Sequence, residues 1–309
     1  MTMFDNLWVE KYRPSTLDEI VLTEDNREVF QRFAEDADVP NLLFVGNAGI
    51  GKTSLAKIIT KDILKCQYLY INASDENGID TIRTKVVHFA KTRSLDGKIK
   101  IIILDEVDGL TMDAQRALRN TMEEYSSVTR FILTANYKHR VITPLQSRVQ
   151  SFDLTPPIKE CIKRVSTILK SEKVEVSQDQ KVLLVALIKN YYPDFRKVIN
   201  EVQRYCNNGK IDIKNITVLD TFVENIFKLI QSKKVLMARK LVIENEDQFN
   251  NDHNGLLKAM FNYAMDSNLP DVTKKKYLLI LAEHLYRAAF VMDPEINFFS
   301  CCIALEESG

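Results

Sequence analysis

Short, nearly continuous apolar runs alternate with amphipathic stretches over the first half of the chain. Residues 41–45, 68–71, 99–104 and 130–134 have the length and density of buried strands. Between the first two runs, Leu55, Ile58, Ile59 and Ile63 fall on one helical stripe. Strands alternating with helices imply an α/β parallel sheet with helices on both faces, reaching to about Asp153. Pro156-Pro157 then interrupts the chain. From 158 to about 216 the period is mainly helical, carried by Ile162, Val165, Ile168 and Leu169, then by 182–188 and 195–205. That is enough for a small helical domain. Beyond 218 the pattern stays helical over 222–230, 238–243, 256–265 and 277–290, with no motif assignable to chemistry. The expected organisation is a sheet domain over 1–155, a small helical domain over 156–216 and an all-helical domain over 217–309.

A length of 309 residues suits two or three domains, and 45% hydrophobic with 27% charged residues excludes disorder and collagen. Forty-two basic residues balance 42 acidic ones, so no global field recruits nucleic acid or anionic lipid. Any basic face must be local. Five cysteines form no CxxC pair, and with four histidines they offer no zinc-ligand spacing, which fits reduced thiols in a cytosol-like compartment. Met1 to Trp8 carries no basic apolar leader, and no apolar run approaches the ~18 residues of a bilayer span. The expectation is a cytoplasmic protein with no membrane partner.

Glycine is scarce, nine in all, yet Gly46, Gly49 and Gly51 fall within six residues. Gly46-Asn47-Ala48-Gly49-Ile50-Gly51-Lys52-Thr53 fits the phosphate-binding GxxxxGK[ST] loop, placed after a strand and before a helix as its mechanics require. Backbone N–H groups of such a loop cradle phosphates, Lys52 reaches the terminal ones, and the Thr53 hydroxyl ligates Mg²⁺. The run 101–104 ends in Asp105-Glu106, the Walker B pattern. Asp105 is placed to hold the magnesium water shell and Glu106 to activate an attacking water. The strand ending at Thr134-Ala135-Asn136 offers an amide to that water or to the terminal phosphate. Taken alone, the two carboxylates also fit the cap of the next segment, and Asn136 an ordinary strand end.

Several boxes, in order, resemble the AAA+ sliding-clamp loader ATPases of the replication factor C small-subunit family. They are Trp8-Val9-Glu10-Lys11-Tyr12-Arg13-Pro14, Asn72-Ala73-Ser74-Asp75, Asp105-Glu106-Val107-Asp108, Ala117-Leu118-Arg119-Asn120-Thr121-Met122-Glu123, Thr134-Ala135-Asn136 and Pro144-Leu145-Gln146-Ser147-Arg148. The resemblance covers roughly residues 8–200. The short chain, the Tyr192-Pro193-Asp194-Phe195-Arg196-Lys197 segment and the divergent last third are most similar to the large clamp-loader subunit of T4-type bacteriophages. The resemblance implies an AAA+ P-loop domain, a helical lid and a C-terminal helical collar. It also implies that ATP binds with Mg²⁺: Val9, Glu10, Lys11, Tyr12 and Arg13 along adenine and ribose, Val21 on the base, and Gly46 through Ser54 on the phosphates and metal. Asn136 would be a sensor at its strand end, and Arg196 a second one from the lid. Without the family, Arg196 reads more readily as a surface residue at a helix start. Arg148 would act in trans as an arginine finger on the neighbouring subunit's nucleotide, although Val149 stands where the family box carries Cys. Asn77 stands where relatives commonly carry a basic residue. That departure removes a cation which could restrain Glu106 and leaves Asn72 as a polar restraint.

Six basic residues between Thr81 and Lys100, namely Arg83, Lys85, Lys91, Arg93, Lys98 and Lys100, face one acid, Asp96. Such local excess suggests phosphate contacts, with solvated helix faces as the alternative for Lys98 and Lys100. By resemblance, Arg83 and Lys85, and Arg116 and Arg119 on the helix after the Walker B strand, would track the DNA backbone. The loop 109–112 and the neighbourhood of Val87 and Phe89 would meet the clamp. The function implied is loading of a sliding clamp onto primer-template DNA by a pentamer of this chain with a different small subunit. Competing expectations are a catalytically silent structural subunit and another AAA+ replication motor. A small-molecule P-loop kinase lacks support, because nothing resembles an acceptor site.

Overall fold

Five parallel strands, β1 (Leu42–Val45), β2 (Tyr68–Asn72), β3 (Lys100–Asp105), β4 (Thr129–Ala135) and β5 (Gln150–Asp153), form one sheet in the order β2-β3-β4-β1-β5. The computed structural model describes residues 7–92, 94, 97–213, 219–246, 249, 251–267 and 269–308. Arg93, Asp96 and the expected boundary at 216/217 lie outside them. β1 to β4 sit on the four apolar runs. β5 carries no such run: three of its four positions are exposed, and only Phe152 turns inward, beside Phe44 of β1.

Because successive side chains on a strand point to opposite faces, each central strand feeds two cores. Phe44, Ile101, Ile103 and Ile132 pack with Leu55, Ala56 and Ile59 of the segment that follows the glycine-rich loop. Leu43, Ile102, Leu104 and Leu133 pack on the other face with Ile82, Val86, Leu118 and Met122. On the first face Phe30 is fully buried, 5.0 Å from Phe152 and 5.8 Å from Phe44 between ring centroids. Its helix, Glu24–Asp36, starts at Thr23, whose hydroxyl accepts from Asn26 N–H. Phe30→Ala should therefore lower the unfolding free energy by about 3–5 kcal/mol. Denaturant titration followed by circular dichroism checks this, and a loss below 1 kcal/mol by that same scale would mean the cluster relaxes to fill the hole.

By contact density the chain separates into two compact units, residues 1–181 with 191–212, and residues 182–190 with 213–309. In the first, the helices Ile158–Ser171 and Phe195–Arg204 are joined by an antiparallel pair, Cys206–Asn207 with Lys210–Ile211. The segment is mainly helical, as expected, and the short antiparallel pair is an addition to it. Asn208 and Gly209 both have positive φ, as a two-residue hairpin turn requires, and strands of two residues leave no period to detect.

The second unit contains the helices Leu219–Gln231, Val235–Glu244, His253–Asp266, Asp271–Arg287 and Pro294–Ser308. Phe227, Met260, Tyr277, Leu281 and Phe298 fill its core. Pro294–Ser308 lies within the expected all-helical domain but gave no periodic signal of its own, because its apolar residues are spread all round the helix and produce no stripe. Cys301 and Cys302 are buried side by side, and burial pushes the Cys301 thiol up to about 12. Among the described residues no helix is long and apolar enough to cross a membrane.

Candidate nucleotide site

The glycine-rich loop leaves β1 and enters the helix Lys52–Ile58 through Gly51, whose φ of 99° is open to glycine. Gly49 is constrained twice. Its φ is 77°, and a Cβ there would lie 1.8 Å from Asp194 Oδ1. Lys52 is 7% exposed, and its Nζ donates to Gly46 O, Asn47 O and Asn136 Oδ1 at 2.8 Å each. Burial holds its pKa below the ordinary lysine value, against the opposing charge of Asp105. The expected phosphate lysine and the expected sensor amide thus meet directly.

Asp105 is 8% exposed at the end of β3. Thr53 Oγ1 lies 2.9 Å from both of its carboxylate oxygens, Thr134 Oγ1 donates to Oδ1 at 2.6 Å, and Tyr70 Oη donates to Oδ2 at 2.9 Å. Burial raises the Tyr70 pKa, and the Asp105 charge and hydrogen bond raise it further, so the phenol remains a donor. Glu106 follows in the left-handed region, φ 59° and ψ 48°, a cost of about 1–3 kcal/mol for a residue with a Cβ. That turn takes it out of the strand direction, with its N–H bonded to Thr134 Oγ1 at 2.9 Å. Ser74 Oγ donates to Glu106 Oε2 at 2.6 Å. Asn72 is not the restraint: its amide donates to Asp75, and its Oδ1 accepts from Ser74 N–H. Asn72 faces Asp105 across the sheet in register, which brings the next loop, and with it Ser74, over Glu106. Asp108 Oδ2 accepts from the N–H groups of Asn136 and Tyr137 and fixes the end of β4.

Beside this network lies a cleft lined by Val9, Glu10, Tyr12, Arg13, Val21, Gly49, Ile50, Gly51, Ser54 and Arg196. Pro14, Glu19, Ile20, Pro156, Arg164, Phe195 and Ile199 complete it. Arg196 comes in on the helix that Asp194 caps at Lys197 N–H, and its own N–H donates to Gly49 O at 3.2 Å. Lys11 does not line the cleft. Its Nζ and the Tyr12 hydroxyl both donate to Glu172 Oε1 at 2.6 Å. Trp8 N–H donates to Gln203 Oε1, so the N-terminal wall is fastened to the segments on either side of Glu172 and Gln203. Tyr70, Ser74, Glu172 and Gln203 had been missed. Ser74 stood inside the Asn72-Ala73-Ser74-Asp75 box without a role of its own.

The other expected residues stand outside the cleft. Arg148 pairs with Glu123, and its Nη1 donates to Pro144 O at 2.8 Å. Arg83 and Lys85 are exposed on the helical run 82–91, and Lys85 pairs with Glu76 at 2.7 Å. Arg116 pairs with Asp113, and Arg119 donates to Asn120 Oδ1. Lys100 is corrected from a surface cation to a buried one, 1% exposed, with Nζ bonded to Phe89 O and Thr92 Oγ1. As the first residue of β3 it points inward, and the local charge count could not reveal that. Lys98 is exposed, as on a solvated face, and its Nζ donates to Lys65 O at 3.2 Å.

Residues 42–156 match the ATPase family associated with various cellular activities. Residues 153–217 match the sliding-clamp-loader large subunit AAA+ ATPase lid domain. Replication factor C small subunit of Staphylothermus marinus is 38% identical over 266 residues, covering 84% of this chain and 77% of that protein. Its counterpart from Sulfurisphaera tokodaii is 36% identical over 314 residues, covering 94% and 92%.

The chain belongs to the replication factor C small-subunit family.

It is a AAA+ ATPase of the clamp-loader type, with the five-stranded parallel sheet, lid and helical C-terminal region that the sequence led us to expect. Among solved structures, the Thermotoga maritima RuvB Holliday junction branch migration motor is similar, with TM-score 0.55 and 16% identity, covering 92% of this chain and 90% of that one. At that identity the likeness shows the fold alone. Replication factor C small-subunit relatives carry the functional assignment.

Proposed function

We propose that the chain is the ATP-hydrolysing subunit of an assembly that opens a sliding clamp and places it on primer-template DNA. The observation that carries this reading is that Lys52 bonds Asn136 while Thr53, Asp105 and Glu106 are linked through Thr134, two bonded sets that meet at the chain-adjacent pair Lys52 and Thr53 in a chain of this family. Residues 1–155 would form the nucleotide-binding domain, 156–216 the lid and 217–309 the oligomerising collar. Adenine and ribose would lie along Val9, Glu10, Tyr12, Arg13 and Val21, with Lys11 bracing that wall through Glu172. The phosphates would lie along residues 46–54, with Lys52 on the terminal ones and Arg196 reaching them from the lid.

Thr53 and Asp105 present hard oxygen donors, the chemistry that Mg²⁺ selects. Among the described residues no three His, Cys, Asp or Glu side chains form a metal cluster, which suits an ion shared with phosphates. When bound, that ion neutralises charge on the transferring phosphoryl group. Glu106 would accept the proton of the attacking water, Asn136 would orient it, and Arg148 would act on the neighbouring subunit's nucleotide. The lid match favours the likeness to the T4-type phage large subunit, hence a host cytoplasm and a pentamer with a different small subunit.

Arg83, Lys85, Arg116 and Arg119 would contact DNA phosphates. The ion pairs that Lys85 and Arg116 now make are exposed and worth about 0–1 kcal/mol, so phosphate can replace Glu76 and Asp113 at little cost. Primer-template DNA should therefore raise ATP turnover of the assembly. Arg83→Ala and Arg119→Ala should weaken DNA binding uniformly across sequences and lower the salt slope by about one unit per lost contact in each DNA-facing copy. Binding measured against salt concentration is the test. A sequence-selective loss would point to base readout, and an unchanged slope would remove both residues from the interface.

A further inference from the structure

We propose that Tyr70 is a positioning residue for the metal site, its hydroxyl fixing the rotation of the Asp105 carboxylate. The inference rests on the reading that Asp105 serves Mg²⁺. Two oxygens of Asp105 receive hydrogen bonds from three hydroxyls. Thr134 Oγ1 holds Oδ1 at 2.6 Å, Tyr70 Oη holds Oδ2 at 2.9 Å, and Thr53 Oγ1 sits 2.9 Å from both. A hydroxyl has one proton, so Thr53 can bond only one of those oxygens at a time. It is also the group that offers its oxygen to the ion. Thr134 and Tyr70 are therefore the two fixed anchors, one on each oxygen, and removing Tyr70 leaves Oδ2 with only the single shared Thr53 proton to hold it.

The phenol is itself aimed. Tyr70 lies on β2 opposite Ile103 of β3, and Asn72 opposite Asp105, so Tyr70 and Asp105 share a sheet face two positions apart. Lys57, on the helix that follows the phosphate loop, places Nζ 4.7 Å from the centre of the Tyr70 ring. That contact ties the ring to the element carrying Thr53. Groups that orient a metal-binding carboxylate usually contribute about 10–100-fold in metal affinity or activity.

The test is a Mn²⁺ titration, read by electron paramagnetic resonance, of the full chain saturated with a non-hydrolysable ATP analogue. Tyr70→Phe should weaken Mn²⁺ about 10-fold or more. Its affinity for the analogue in excess chelator should match that of the unsubstituted chain, which separates metal positioning from a loss of folding. The Mg²⁺ concentration for half-maximal hydrolysis should rise by the same factor, with the maximal rate recovered at saturating Mg²⁺. Asp105→Asn is the control. If Asp105→Asn weakens Mn²⁺ and Tyr70→Phe does not, the inference on Tyr70 is overturned while the metal reading stands. Should both variants bind Mn²⁺ normally, the metal reading falls and the inference with it. A loss of analogue affinity by Tyr70→Phe in chelator would assign the phenol to the fold instead.

Discussion

Glu106→Gln should bind ATP as tightly as the unsubstituted chain and hydrolyse it about 10²–10⁴-fold more slowly. The geometry supports both halves of this expectation. Glutamine has the same length, and its carbonyl can accept the Ser74 hydroxyl bond now made to Glu106 at 2.6 Å. The left-handed backbone at φ 59° and the bond from Glu106 N–H to Thr134 do not depend on the side-chain charge. Lys52 and the loop carbonyls it engages are untouched, so the phosphate-binding side is preserved. What glutamine cannot do is take a proton from water. Single-turnover hydrolysis of bound ATP, alongside a nucleotide titration, separates the two properties. A variant that hydrolyses at the normal rate would remove Glu106 as the base.

Arg148→Ala should cut DNA-stimulated turnover of the assembly by roughly a thousandfold, the low end for an arginine finger. Nucleotide affinity of the isolated chain should barely change, because Arg148 is no part of the cleft beside Lys52. Its guanidinium is held by Glu123 at the end of the helix Met112–Glu124 and by Pro144 O. Glu123 is 46% exposed and Arg148 34%, so exchanging this carboxylate for a neighbour's phosphates costs little. Arg116 and Arg119 lie on the same helix as Glu123, the residue that holds the proposed finger. Turnover that stays normal in the variant assembly would leave Arg148 with the Glu123 pair as its whole role.

β1, β3 and β4 were legible because burial on both faces writes a strand as an unbroken apolar run, and β2, a partly buried edge strand, still carried the short apolar run 68–71. β5 was not, since an edge strand with one inward residue writes almost nothing. The phosphate loop, Asp105, Glu106 and Asn136 were legible because their chemistry fixes both residue type and spacing. Tyr70, Ser74 and Glu172 reach the site from separate segments through side-chain hydrogen bonds, and tertiary contacts of that kind have no period and no spacing. Asn72 illustrates the limit. Its strand brings it beside Asp105, but a rotamer choice sends its amide to Asp75 and leaves Glu106 to Ser74. Lys100 fails in the same way, as a charge assigned to solvent by composition and to the interior by the strand it begins.

The central claim, an ATP site completed by a neighbouring copy and driven by DNA, is tested by mixing two inactive chains. Lys52→Ala keeps the finger but removes the main positive charge facing the terminal phosphates, whereas Arg148→Ala keeps the site and loses the finger. Assemblies containing both, confirmed by mass, should hydrolyse ATP on primer-template DNA wherever the first chain's Arg148 faces the second chain's Lys52. A mixture no more active than either variant alone would contradict the account, because Arg148 would then act within its own subunit or only hold the interface together.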